Sequence, residues 1–189
     1  MVLPNLDGDV LPLGRHAVEL SDLVTAFVES PDFKESRSRR VIWEHFTTAN
    51  DLLQSVVTVH SAWIGGSFTT SKLNPRDIDV VYVVNAEDRA SRTAKERRVI
   101  DAFVRRVKDP VSGRTVPEHG LLVDSFLLDW SAHLPPRSTN ADYQGYAELR
   151  GYWDDWWTRQ RNGKKTDAPT RLDALPARGY LEVQFSAFA

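Results

Sequence analysis

A chain of 189 residues with 41% apolar residues, six tryptophans and a formal net charge of −2 can build one substantial core and is too aromatic for disorder. Its near-neutral charge excludes a molecule that is basic all over, leaving only local patches for nucleic acid. The absence of cysteine excludes disulfides and thiolate metal sites.

No stretch approaches the roughly 20 apolar residues of a membrane span. "MVLPNLDGDVLPLGRH" lacks the basic and apolar regions of a secretory signal. A soluble, cytoplasmic protein without membrane association is expected. Within that opening, "LPLGRH" reads as turn residues with an apolar strap. "LSDLVTAFVES" predicts a helix with Ser21 as N-cap and Leu20, Leu23, Val24 and Phe27 on one face, closed by Pro31. A second helix is predicted from about Lys34 to Val57, on the stripe Ile42, Phe46, Ala49, Leu53 and Val56. Arg37, Arg39 and Arg40 fall in its first turns.

"TVHSAWIGG" reads as a strand running into a glycine turn. "DIDVVYVV" is apolar on both faces, as an internal strand is. Residues Arg89 to Lys108 predict one helix with Ile100, Phe103, Val104 and Val107 inside. Its other faces carry Arg92, Lys95, Arg97, Arg98, Arg105 and Arg106, interrupted by Glu96 and Asp101. Such a surface is either solvated or of use to an RNA acceptor. After a Pro/Gly loop, "GLLVDSFLLDW" gives a third strand, "HLPPRSTN" a loop, and "ADYQGYAELRGYWDDWWTRQ" a helix at least from Tyr146. "GYLEVQF" reads as a half-buried final strand. The expectation is one domain over residues 1–189, α/β (α+β), with a small mixed sheet flanked by helices. Its core spans about 34–130, and a C-terminal helix and strand lie within 141–189.

Asp77 and Asp79 lead into the most apolar strand, where desolvating a carboxylate is costly. Strand alternation points both the same way, roughly 6.5–7 Å apart. Each raises the other's pKa unless a cation intervenes, and a hard ion such as Mg²⁺ suits carboxylate and phosphate oxygens. The plainer alternative has one aspartate capping a helix and the other pairing with Arg76. Nine residues earlier ends the turn Gly65-Gly66-Ser67, whose amides and hydroxyl can cradle an anion. Asp124 interrupts a second strand that is otherwise apolar, and buried-strand aspartates are rare unless paired or metal-bound.

This constellation, Gly65, Gly66 and Ser67 followed by Asp77, Asp79 and later Asp124, resembles the polymerase-β-like nucleotidyltransferase superfamily over about residues 40 to 130. The flanks resemble a small bacterial and phage branch of it. The resemblance implies a nucleotidyltransferase-like fold holding a nucleoside triphosphate and two Mg²⁺ ions, with Mn²⁺ as a substitute. Asp77, Asp79 and Asp124 would be the catalytic and metal residues, Asp124 also helping to deprotonate the acceptor. Gly66 and Ser67, on the turn opened by Gly65, would hold the terminal phosphates. Lys72 and Arg76 lie on the intervening loop, within reach of phosphate or merely solvated. The implied reaction passes a nucleoside monophosphate to a hydroxyl of RNA, protein or a small molecule and releases pyrophosphate. The alternative is a regulatory protein that keeps the fold, such as a toxin–antitoxin or phage-defence component acting through a protein partner.

Trp153, Trp156 and Trp157 recur at helical spacing, as a core stripe or as a platform for a nucleotide base or single-stranded acceptor, with "RQRNGKK" beside it. His16, His45, His60, His119 and His133 show no paired metal spacing, which argues against zinc. His16 and His60 are outside candidates for the rim of the site.

Overall fold

The computed structural model describes residues 3–131, 141–161, 163 and 166–185. Seven strands occur among them: β1 (Gly14–Ala17), β2 (Val59–Gly65), β3 (Ile78–Asn85), β4 (Arg106–Lys108), β5 (Thr115–Pro117), β6 (Val123–Trp130) and β7 (Gly179–Gln184). Five form a mixed sheet in the order β1-β7-β2-β3-β6, and β4 and β5 form a small hairpin of their own. β2 runs antiparallel to both β3 and β7, whereas the β1–β7 and β3–β6 pairs are parallel. The α+β architecture with a mixed sheet is as the sequence led one to expect.

Parallel neighbours need a long crossover, and residues 86–122 supply it between β3 and β6. The sequence predicts one helix there, but the structure has two short ones, α3 (Ala86–Ser91) and α4 (Ala94–Ala102). The break falls where Thr93 and Glu96 form a reciprocal capping box, the Thr93 amide donating to Glu96 Oε2 at 2.8 Å. A helix restarts there rather than continues. Ile100 and Phe103 are fully buried as expected, but Val104 and Val107 are exposed, because the chain beyond Phe103 turns into β4.

Two further boundaries move for local reasons. α1 (Leu20–Phe27) is capped by Glu19 with Asp22, not by Ser21. α2 (Arg39–Gln54) begins later than Lys34, because Pro31–Phe33 form a 3₁₀ turn and the Arg37 amide is tied to Asn74 Oδ1 at 2.8 Å. The predicted stripe of α2 holds, with Ile42, Phe46, Ala49 and Leu53 all fully buried.

β7 was expected to be half-buried, yet it lies between β1 and β2. Tyr180 and Leu181 are buried on opposite faces. Its neighbour β1, formed by "GRHA", lay hidden in a segment that reads as turn residues. Gly179 makes this insertion feasible: a Cβ there would fall 2.0 Å from the Pro12 carbonyl oxygen. Its amide meets the Leu11 carbonyl at 2.9 Å.

The sheet separates two cores. Ile78, Val80, Tyr82 and Val84 of β3 join Ala62, Ile64, Leu181 and Val183 beneath α1, α2 and α4. Val81 and Val83, on the opposite face, join Trp63, Leu128 and Tyr180 with Trp153 and Trp157 of α5 (Ala141–Thr158). Among the described residues no helix is long and apolar enough to cross a membrane.

Candidate functional site

The strand register brings three of the sequence-predicted residues to one end of the sheet, with the two aspartates on the α5 face. Gly65, last in β2, pairs with Asp79 of β3, and Asp79 pairs with Asp124 of β6. Residues facing each other on adjacent strands sit about 4.8 Å apart, so these two carboxylates are near neighbours. Alternation places Asp79 in line with Val81 and Val83, and Asp124 in line with Phe126 and Leu128, above the tryptophan-rich core. Asp77 lies one residue before β3 begins.

Gly66 closes the site against Asp79. Its φ is +71°, and a Cβ there would fall 1.6 Å from Asp79 Oδ2. Only glycine lets the turn backbone lie against that carboxylate. The turn is then tightened by its own side chains: Thr69 Oγ1 donates to the Gly66 carbonyl at 3.3 Å and Thr70 Oγ1 to the Ser67 carbonyl at 2.9 Å.

Two neighbouring carboxylates repel by about 3 kcal/mol at an effective dielectric near 20, so compensation is required. Arginines provide it at each acid. Arg114 Nη2 meets Asp77 Oδ2 at 3.2 Å. Arg106 forks between Asp124 and the Ser125 carbonyl, the latter at 2.9 Å, with its guanidinium 4.5 Å from the Phe126 ring centroid. Arg178 donates to the Gly66 carbonyl at 3.2 Å and the Trp157 carbonyl at 3.1 Å. Burial lowers the Arg178 pKa, and the charge of Asp79 pulls it back up.

Among the described residues no group of three or more His, Cys, Asp or Glu side chains is arranged to hold a metal ion. A three-carboxylate cage is therefore not assembled. The Asp79–Asp124 pair fits a different donor set. Mg²⁺ keeps several waters and is bound through one or two carboxylates plus phosphate oxygens, not by an all-protein cage.

Sequence reasoning missed the residue that holds the turn. Arg39, in the first turn of α2, is buried. It donates to four carbonyls: Phe27 at 3.1 Å, Phe68 at 2.7 Å, Thr70 at 2.8 Å and Lys72 at 2.7 Å. Its guanidinium lies 3.7 Å from the Phe33 ring centroid. Burial pushes its pKa down to about 10, which leaves it charged at neutral pH. A planar fork with five donors serves several carbonyls at once, so Arg39 fixes residues 68–72 immediately after the Gly-Gly-Ser turn. An arginine among Arg37, Arg39 and Arg40 carries no sequence mark that would single it out.

Lys72 and Arg76 are exposed, and neither forms an ion pair among the described residues. Lys72 contributes its carbonyl to Arg39. His16 meets the Pro12 carbonyl at 2.8 Å. His60 sits edge-on to Trp130 at the far end of β2 from Gly65, so it does not line the rim. The His45 Nδ1 accepts from the Leu122 amide at 3.0 Å. His133 and the "HLPPRSTN" loop lie outside the described residues, as do three positions of "RQRNGKK".

Trp153 and Trp157 are core, and the Trp157 indole donates to the Trp63 carbonyl at 3.3 Å beside Gly65. Trp156 departs from the stripe: it is 51% exposed and stacks on Tyr152. Asp129 lies within β6 and pairs with Arg89 at 2.9 Å.

A mixed five-stranded sheet with a glycine turn and an aspartate pair at one end is thus the class of structure in hand. The chain belongs to the Family of unknown function (DUF6932), whose model matches residues 4–184. No curated protein and no solved structure matches it.

Proposed function

We propose that the protein is a divalent-cation-dependent nucleotidyltransferase that moves a nucleoside monophosphate from a triphosphate to an acceptor hydroxyl. The carrying observation is the alignment of Asp79 with Asp124 on neighbouring strands, with the Gly66 backbone packed against the Asp79 carboxylate. Asp79 and Asp124 would hold Mg²⁺ or Mn²⁺, and Asp77, at the edge of the site, would join them once its pairing with Arg114 is released. The ion, when bound, offsets the charge of the phosphates and of the departing pyrophosphate. The Gly66 amide and Ser67 hydroxyl bind terminal phosphate oxygens, and Arg39 keeps the following segment in the shape this requires. Asp124 accepts the proton of the acceptor hydroxyl, which RNA, protein or a small molecule can supply.

Incubation with each α-labelled triphosphate and Mg²⁺ tests this assignment. Pyrophosphate release or label transfer that vanishes in Asp79→Ala supports it. Absence of triphosphate binding to the unmodified protein would remove it. One observation favours a second reading: every acid already faces an arginine, a charge balance suited to a non-catalytic protein that keeps the fold and works through a partner. Co-purification of a stoichiometric protein partner, with no triphosphate binding, would select that reading.

A further inference from the structure

The three arginines at the acids are not equivalent. Arg178 is partly buried and ties two carbonyls together. Arg106 is anchored on the Ser125 carbonyl and lies over Phe126. Arg114 differs on both counts. Its side chain is 47% exposed, and among the described residues its guanidinium makes one ion pair, with Asp77, while its charge also reaches Asp109 of its own hairpin.

Arg114 sits at the end of a hairpin ribbon, just before β5. The tip is pinned by its own turn: the Asp109 amide donates to the Arg114 carbonyl at 2.8 Å and the Ser112 amide to Asp109 Oδ1 at 2.6 Å. Val111 at that tip is 94% exposed. The hairpin therefore presents a guanidinium to the site without burying it there.

We propose that Arg114 is an exchangeable counter-ion: it neutralises Asp77 until a divalent cation binds the carboxylates, and then turns to the phosphates of the incoming substrate. This rests on the nucleotidyltransferase reading and names the residue that recruits the triphosphate. A half-exposed ion pair is weak and easily displaced, while a guanidinium fork matches phosphate oxygens well. One side chain thus serves both states. Released from Asp77, the guanidinium would have its hydrogen bonds to satisfy, and phosphate oxygens would serve.

Calorimetric titration of the 189-residue chain with Mn²⁺ alone, and with tripolyphosphate in saturating Mn²⁺, tests the exchange. Arg114→Gln should tighten Mn²⁺ binding by about threefold to fivefold, since it removes a competitor of surface-pair strength. The same variant should weaken tripolyphosphate by about tenfold, through loss of a charge-assisted phosphate contact. Arg105→Gln removes the same charge from the foot of the hairpin, where Arg105 pairs with Glu118 at 3.3 Å. It should change neither affinity by more than about twofold.

Opposite signs in Arg114→Gln with a silent Arg105→Gln support the exchange. Changes of the same sign, no change, or equal effects in the two variants overturn it. Amide hydrogen exchange in the unmodified protein gives a readout without mutation. Residues 109–117 should exchange faster with Mn²⁺ alone and slower once tripolyphosphate is added, and any other order overturns the proposal. If the unmodified protein binds neither Mn²⁺ nor tripolyphosphate, the nucleotidyltransferase reading falls and the exchange with it. If it binds both while the variant shifts them together, only the exchange falls.

Discussion

On the face covered by α1, α2 and α4, strands β2, β3 and β7 present Ala62, Ile64, Val80, Tyr82, Val84 and Leu181, all without solvent exposure. On the α5 face the same strands present Trp63, Val81, Val83 and Tyr180, but that row ends in Asp79, with Asp124 beside it on β6. Within the first face the Tyr82 hydroxyl donates to Asn50 Oδ1 at 2.8 Å. Burial there drives the phenol pKa upward. The second face places like charges side by side and offsets them with arginines. A carboxylate pair of this kind weakens a fold unless something is bound or balanced, so the division between the faces is one of apolar packing against charges that need balancing.

The largest expected effect tests that division directly. Asp79→Asn keeps the shape of the side chain and removes the charge beside Asp124. Transfer activity should fall by about 10³-fold, in line with the loss of a group acting in the transition state. Thermal stability should change little, because the relieved repulsion with Asp124 is offset by the lost attraction to Arg178. Calorimetric melting alongside labelled-triphosphate turnover separates the two. A large fall in melting temperature with activity kept would mean that the acids serve the fold.

Arg39 is where the two faces meet, since it is buried with the first core and holds the turn of the second. Arg39→Lys retains the charge but cannot reach four carbonyls in one plane. Leaving two or more of them unsatisfied should cost about 3 kcal/mol or more of folding stability. Triphosphate binding should weaken in parallel as residues 68–72 loosen. Denaturant unfolding followed by tryptophan fluorescence measures the first effect, and calorimetric titration the second. Lost stability with unaltered binding would break the link between the two faces.

Gly66→Ala should be milder for the fold and sharper for the site. A left-handed φ costs a non-glycine residue roughly 1–2 kcal/mol. The new methyl group also collides with the Asp79 carboxylate, which can swing aside. Melting should therefore drop by only a few degrees, while binding of Mn²⁺, read by titration, declines more than in any surface variant. Unchanged Mn²⁺ affinity would show that the Gly66 backbone and Asp79 do not act together.

Much of this was legible in the chain because it depended on local pattern. Strands β2 and β3, the glycine turn, and the carboxylates Asp79 and Asp124 announce themselves by polarity within apolar runs. What stayed hidden depended on distant partners. "GRHA" becomes a strand only because β7 arrives beside it, and "RVK" becomes one because "TVP" pairs with it. Arg39 looks like any surface arginine until four carbonyls from two segments converge on it. The arginines at Asp77 and Asp124 come from the hairpin segment, part of which reads as helix, so the compensation for the acids could not be assigned from spacing.

The smallest effect concerns His119, which borders the first face beside Phe103. Its Nδ1 accepts from the Leu121 amide at 3.1 Å, so the ring proton sits on Nε2, which donates to Ser125 Oγ at 2.9 Å. That hydroxyl in turn donates to the Phe103 carbonyl at 2.6 Å. Burial first, and the nearby Arg106 charge second, lower the His119 pKa to about 4. The unfolded chain takes up this proton near its ordinary value of about 6.5. The folded form takes it up only near 4. Stability is therefore unaffected by this group above pH 6.5, declines as pH falls from 6.5 toward 4, and has no further dependence on it below that. His119→Asn should flatten the decline in denaturant midpoints between pH 6.5 and 4 without changing the response of Mn²⁺ binding over the same interval. If the variant leaves the decline intact, the acid sensitivity belongs to the carboxylates of the other face.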